Sequence, residues 1–308
     1  TMALLDYTRR AMLAAGTATA IALSAISLSA QTPDDVLVVG QIAEPKALDP
    51  AAVTAVNDFR ILMNLYDGLV RYKDGTLEVE PALATSWDIS DDGTVYTFSL
   101  RQDVKFHDGS DFNADAVKFN FDRMLDEAHP YHNTGPFPLS FFFSAIVSVE
   151  VVDSMTVKFT LNAPYAPFLS NLAYPTGLIV SPDAVAKHGT DFGRNPSGTG
   201  AFKFGEWRSN EAVVVEANSS YWEGAPKLQA VVFRPITDAN TRTAEMLAGG
   251  IDMMVEVPPV ALSKFQGDGY TLHEQAGPHV WFLILNACLL YTSDAADEGL
   301  GVDLGGRR

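Results

Sequence analysis

The chain is poor in cysteine. It has one in 308 residues, Cys288, so no disulfide can form within it. It is also poor in base, with 21 Lys and Arg against 38 Asp and Glu and a formal charge of −17. That balance repels polyanions, which argues against nucleic acid and anionic membrane surfaces as partners. The acidity itself is an ordinary solubility device and is not read as a cation sink. Hydrolase signatures are missing: there is no G-x-S-x-G, no H-E-x-x-H, and no cysteine before residue 288 to act as nucleophile. Acidic residues are abundant but scattered, as on a solvated face. A secreted hydrolase is therefore the disfavoured class, and the chain is expected not to be an enzyme. The six histidines are scattered except for His129-Pro130-Tyr131-His132. A Pro-containing loop holds two ring nitrogens poorly on one ion, and no Cys or carboxylate cluster joins them. Neither metal nor cofactor is expected.

Charge is absent from residues 11–30, which follow Arg9-Arg10 and end in small residues around Ser29 and Ala30. This is the pattern of an export leader, residues 1–30, cleaved near 29–31. Thr8-Arg9-Arg10-Ala11-Met12-Leu13 also resembles a twin-arginine signal, so the route is Sec or twin-arginine. The run is long enough to span a bilayer, but its Ala, Ser and Thr content makes it weakly apolar, which favours a cleaved leader over an anchor. No cysteine follows it, which argues against a lipoprotein. At the far end, CLLYTSDAADE from Cys288 to Glu298 reads like a translated sequencing adapter, and residues 288–308 are expected to be read-through. Neither end supplies the acidic excess.

The length allows two domains. Residues 36–39, Val-Leu-Val-Val, form a continuous apolar run, the pattern of a strand covered on both faces. The loop after it carries Pro45 and Pro50, which restrict its φ angles. Phe59, Leu62, Met63 and Tyr66 share one helical stripe, expected to end at Asp67-Gly68. Residues 95–100 alternate, with Tyr96, Phe98 and Leu100 on the inner face, between turn signals at Asp92-Gly93 and Asp108-Gly109. Asn113 is placed to cap a helix whose inner face carries Val117, Phe121, Met124 and Leu125. A second hairpin is expected over 147–161, with Val157, Phe159 and Leu161 inside. Strands follow at 202–207, 212–217 and 230–236, and a helix over 241–248 closed by Gly249-Gly250. Gly198 and Gly200 flank Thr199, which suggests backbone passing close to a partner, with positive φ at one of them. The Lys-Ser/Thr pair and helix of a phosphate-binding loop are missing there.

Several blocks in order resemble the periplasmic solute-binding proteins of dipeptide, oligopeptide and nickel ABC importers, extracellular solute-binding protein family 5. They are Leu48-Asp49-Pro50, Tyr66-Asp67-Gly68-Leu69, Pro81-Ala82-Leu83-Ala84 with Ser86-Trp87, Val104-Lys105-Phe106-His107-Asp108-Gly109, Asn113-Ala114-Asp115-Ala116-Val117, Pro164-Tyr165-Ala166-Pro167, Gly198-Thr199-Gly200 and Tyr221-Trp222. The resemblance runs from about Val36 to Asn286. It implies a mixed α/β, two-lobed binding protein of the class II, peptide-binding type, with an inserted hairpin-rich subdomain and the second lobe missing. Residues 31–64 and 188–279 would form the first lobe, 65–187 the insertion, and 280–287 the start of the crossing to the second lobe. The implied ligand contacts are Glu44, Pro45, Tyr165, Thr199, Gly200, Trp281 and Phe282. The 42–50 loop reads equally as a plain strand-to-helix connection. The implied role is periplasmic capture of a peptide by a monomer and its delivery to an ABC permease. A nickel chelate, haem, glutathione or an oligosaccharide are alternative ligands. A lone first lobe is expected not to bury its ligand.

Overall fold

The computed structural model describes residues 33–267 and 269–274. The expected leader and crossing segment, the latter with Trp281 and Phe282, and residues 288–308 lie outside the described residues. No helix among the described residues is long and apolar enough to cross a membrane.

Two sheets organise the chain. The first contains β1 (Val36–Gln41), β8 (Phe202–Arg208), β9 (Ala212–Ala217), β10 (Ala230–Pro235) and β11 (Met253–Met254), in the order β11-β1-β10-β9-β8. β1 is parallel to both β10 and β11, while β9 is antiparallel to β10 and β8. The register places Val39, Phe233, Val213 and Trp207 in one row across the sheet. All four pack into one cluster with Phe59, Leu62 and Leu65 of helix α1 (Val56–Leu65). Central β1 is buried from Val38 onward, as its unbroken apolar run requires.

The α1 stripe differs from the expected one in two respects. Met63 is 64% exposed, because the buried face is centred on Leu62 and takes Asp58, Ile61 and Leu65. The helix also stops at Leu65, with Tyr66 extended, before Asp67-Gly68 is reached.

Between α1 and β8 the chain builds a second unit. A small ladder pairs β2 (Val70–Tyr72) with β3 (Val79–Pro81). A four-stranded antiparallel sheet joins β4 (Ala84–Ile89), β5 (Val95–Leu100), β6 (Ile146–Asp153) and β7 (Thr156–Leu161) in the order β4-β5-β7-β6. Tyr96, Phe98, Leu100, Val157, Phe159 and Leu161 turn inward as the alternation predicts. Gly93 and Gly109 adopt φ of +69° and +94° at the flanking turns. Helix α2 (Ala114–Leu125) is capped by Asn113, whose side chain accepts from the Ala116 N–H. Its Phe121 ring meets Phe159 edge-on at 4.9 Å and Phe143 at 5.1 Å. Each such fully buried ring contributes about 1.5–3 kcal/mol from area alone. Short helices α3 (Phe168–Ala173) and α4 (Pro182–His188) lead back towards the first sheet. Helix α5 (Ala239–Ala248) connects β10 to β11 and ends on Gly249 at φ +72°.

Candidate functional site

Three parallel strands, β11, β1 and β10, end side by side. In open α/β sheets, the space outside such carboxyl ends is where ligands bind, because the loops leaving the strands are free to diverge there. The loop leaving β1, residues 42–50, is fixed from several directions. The Asn57 amide donates to the Glu44 carbonyl, and the Lys46 N–H donates to Asp58 Oδ1 at 3.0 Å. The Trp207 indole, at the far edge of the sheet, donates to Glu44 Oε1 at 2.6 Å. Further on, Leu48 N–H donates to the Gly193 carbonyl and the buried Tyr66 hydroxyl donates to the Leu48 carbonyl at 2.7 Å. Asp49 accepts from both terminal guanidinium nitrogens of Arg123, at 3.0 and 3.1 Å. So Glu44 and Pro45 are held in place before any ligand arrives.

The neighbouring loops are held in similar ways. Arg242, buried on α5, donates to the carbonyls of Ile236 and Thr237 after β10. After β11, Glu256 adopts φ +55° and pairs with Arg60 of α1 at 2.9 Å. Four side chains at this end, Gln41, Asp58, Arg60 and Arg242, have a buried polar atom without a partner. Gln41, 1% exposed, has neither amide atom bonded, and Asp58 has Oδ2 unbonded. Burial raises the Asp58 carboxyl above its ordinary pKa, against the hydrogen bonds from Lys46 and Ala55.

The Gly198-Thr199-Gly200 turn precedes β8 and lies at the opposite end of the strands, since Phe202 starts β8 while Trp207 lies level with Val39. Here Thr199, 1% exposed, donates to Asp67 Oδ2, and the Tyr221 hydroxyl and Trp222 indole also donate to that carboxylate. With three neutral donors and no cation bonded to it, Asp67 is raised by desolvation despite those bonds. His107 Nδ1 accepts from the Gly198 N–H and Nε2 faces the Gly200 carbonyl, so the ring is the neutral Nε2–H tautomer. Desolvation lowers its pKa to about 4. Neither glycine has positive φ, contrary to expectation. What excludes a side chain is contact: a Cβ at Gly200 would lie 2.5 Å from the Asn64 carbonyl oxygen, and one at Gly198 would overlap Leu65 O and the Tyr66 ring.

A depression of about 550 Å³ opens beside this turn, lined by His107, Asp108, Lys187, His188, Asn195 and Lys203 among others. Its imidazole at 107 and carboxylate at 108 are already committed. Against the cost of burial, donors from Ser110, Ser181 and Ser197 hold Asp108 below the usual carboxylate range. At the carboxyl end of β1, by contrast, the Gln41 amide and Asp58 Oδ2 are buried with no partner.

Residues 78–288 match the bacterial extracellular solute-binding proteins, family 5 Middle. The chain belongs to this family. The family 5 chain is 36% identical over 258 residues to Glutathione-binding protein GsiB of Pectobacterium atrosepticum, across 83% of the chain and 48% of that relative. It is 37% identical over 263 residues to Heme-binding protein A of Haemophilus influenzae, across 79% and 48%. Among solved structures it is similar to the periplasmic binding protein DppA from Helicobacter pylori in complex with peptide STSA. That match has 37% identity and a TM-score of 0.71 over 75% of this chain and 48% of the other. A dipeptide binding protein from Pseudoalteromonas sp. SM9913 in complex with Met-Leu gives 30% identity and 0.72 over 76% and 50%. The chain thus spans about half the length of the relatives it matches, and its fold is the mixed α/β fold of family 5.

Among the residues expected to touch ligand, the structure brings Glu44 and Pro45 together at the strand ends. Thr199 and Gly200 lie buried at the other end. Tyr165 sits in the hairpin unit, half-buried against its core, and its hydroxyl accepts from Asn171. Trp281 and Phe282 fall outside the described residues. Sequence reasoning passed over Gln41, Asp58, Asp67, Arg123 and Trp207. Two signals were available: Asp67 sits inside the Tyr66-Asp67-Gly68-Leu69 block, and Arg123 interrupts the apolar face next to Met124.

Proposed function

We propose that this chain is the solute-capturing component of an ABC importer, working in the periplasm as a monomer and delivering its ligand to a membrane permease. Membership of family 5 carries this reading. The ligand class proposed is a peptide. GsiB is named for glutathione, and the similar structures of DppA and of the Pseudoalteromonas protein hold STSA and Met-Leu. Haem is the second reading, favoured by the similarity to Heme-binding protein A.

In this account residues 31–64 and 188–279 form one lobe with 65–187 inserted in it, and residues 280–287 begin a crossing towards a further lobe. Glu44, half-buried, faces the ligand, and Pro45, buried beside it, shapes the backbone that the ligand meets. Trp281 and Phe282 are the remaining proposed contacts and lie outside the described residues. Thr199 and Gly200 serve from behind, joining the turn before β8 to Asp67 and His107, while Tyr165 stands within the hairpin unit. Closure of lobes would remove the ligand from water. Native mass spectrometry of protein recovered from the periplasm tests the ligand class. A co-purifying peptide mass supports it, whereas a haem mass with a Soret band favours the second reading. A ligand-free protein that also ignores added peptide contradicts the proposal.

A further inference from the structure

Asp49 of the 42–50 loop reaches across to helix α2 of the hairpin unit. Its carboxylate receives Nη1 and Nη2 of Arg123 at 3.0 and 3.1 Å, and its Oδ1 also accepts the Ala51 N–H. Both side chains are sealed, at 1% and 2% exposure. The guanidinium lies over the rings of Phe137 and Phe192, at 5.3 and 5.8 Å. It therefore touches α2, the 131–137 segment, the 189–194 turn and the 42–50 loop at once. A sealed ion pair is weak evidence of net stabilisation, because desolvation offsets the attraction. Its geometry is another matter: a planar fork meeting a carboxylate with two parallel bonds fixes both distance and orientation. Pro45 and Pro50 stiffen the chain on either side, so fixing Asp49 constrains what precedes it.

We propose that Arg123 is a positioning residue for the binding loop: through Asp49 it sets where Glu44 and Pro45 stand at the carboxyl end of β1. The consequence for binding rests on the reading that this loop faces ligand; the positioning itself does not. Arg123 does not touch the ligand in this account, and a lysine, offering a point charge in place of a fork, substitutes for it only in part.

The structure supplies its own reporter. Trp207 Nε1–H donates to Glu44 Oε1 and is bonded to neither Arg123 nor Asp49. Arg194 lies over the same ring at 3.3 Å, so the indole resonance in a ¹H–¹⁵N spectrum of the full chain reads the position of Glu44 once the contribution of Arg194 is calibrated with Arg194→Gln. In Arg123→Met and in the milder Asp49→Asn, the resonance is expected to move upfield, and its exchange with solvent to rise by on the order of 10-fold as the loop opens locally. Arg123→Lys is expected to fall between wild type and Arg123→Met. Val157→Ala, which removes buried volume from the hairpin sheet, lowers stability without moving the signal. A wild-type indole resonance in Asp49→Asn and in whichever Arg123 variant folds would overturn the proposal. So would an equal movement in Val157→Ala. If the indole moves while a bound Met-Leu or glutathione probe keeps its affinity, the positioning stands and the ligand-facing role of the loop falls.

Discussion

Gly200→Ala tests whether the turn before β8 is built by contact. The added methyl would lie 2.5 Å from both the Asn64 carbonyl oxygen and the Leu65 carbonyl carbon, and 2.7 Å from the Tyr66 nitrogen. Carbon contacts settle near ~3.5–4.0 Å, so the turn must retreat by about 1 Å from the end of α1. All three neighbours are backbone and cannot swing aside. The retreat would stretch the Gly200 N–H to Leu65 carbonyl bond from 3.0 Å to beyond hydrogen-bonding range. Overpacking of this kind costs about 1–3 kcal/mol and the lost bond about 1 kcal/mol, against about 0.4–1 kcal/mol returned by a stiffer unfolded chain. The net expectation is a loss of about 2–3 kcal/mol. Gly109→Ala is the control. Gly109 has φ +94° and nothing within 4 Å of where the methyl would sit, so only conformational strain of about 1 kcal/mol applies. Urea unfolding monitored by tryptophan fluorescence gives both values from midpoint and slope. A Gly200→Ala cost equal to or below that of Gly109→Ala would refute the contact argument.

Further expectations follow from the buried polar groups. Arg123→Met leaves Asp49 charged and unpaired and should cost about 3–5 kcal/mol in the same assay, while Arg123→Met with Asp49→Leu should cost less than either single change. Asp67 has a folded pKa raised above its unfolded value, so its contribution is full below about pH 3.8 and is lost as pH rises through the folded value. Asp67→Asn should therefore remove a fall in stability over that window. It should stay within about 1 kcal/mol of wild type at neutral pH, since the amide oxygen still accepts from Thr199 and Trp222 and the Tyr221 hydroxyl can turn to accept. His107 behaves in the opposite sense. Its pKa falls from 6.5 to about 4 on folding, so stability is full above pH 6.5 and declines as pH drops towards 4; His107→Gln should flatten that slope in pH-dependent unfolding. Trp207→Phe removes a donor to a carboxylate and should cost about 1.5 kcal/mol, with faster amide exchange at Lys46 and Leu48 as the accompanying sign.

The sheet elements were legible because their signals are local. Tyr96, Phe98 and Leu100 alternate, and Gly249 caps a helix whichever fold surrounds it. Asn113 needs only the three residues after it. The Met63 error came from placing a four-residue stripe without knowing which flank met the sheet; Leu62 alone fixes the centre, and either neighbour completes the period. The glycines of the 198–200 turn announced close approach correctly, but sequence cannot separate a positive φ from a neighbour that fills the Cβ position. The ties between units were invisible for a plainer reason. Asp49 and Arg123 are 74 residues apart, and Asp67 meets partners 132 to 155 residues away. No periodicity encodes such meetings. Of the candidate site, Glu44 and Pro45 were legible through the loop that follows the first strand, whereas Gln41 and Asp58 count only once their burial is seen.

The most direct test of the account is a ligand footprint on the backbone. Amide exchange would be followed for the chain alone and with Met-Leu, glutathione or haem at millimolar concentration, which captures even weak binding. Added peptide is expected to slow exchange across the 42–46 amides and shift the Trp207 indole, leaving residues 198–200 unchanged. Protection at residues 198–200 or in the hairpin sheet, with the 42–46 amides unaffected, would contradict it.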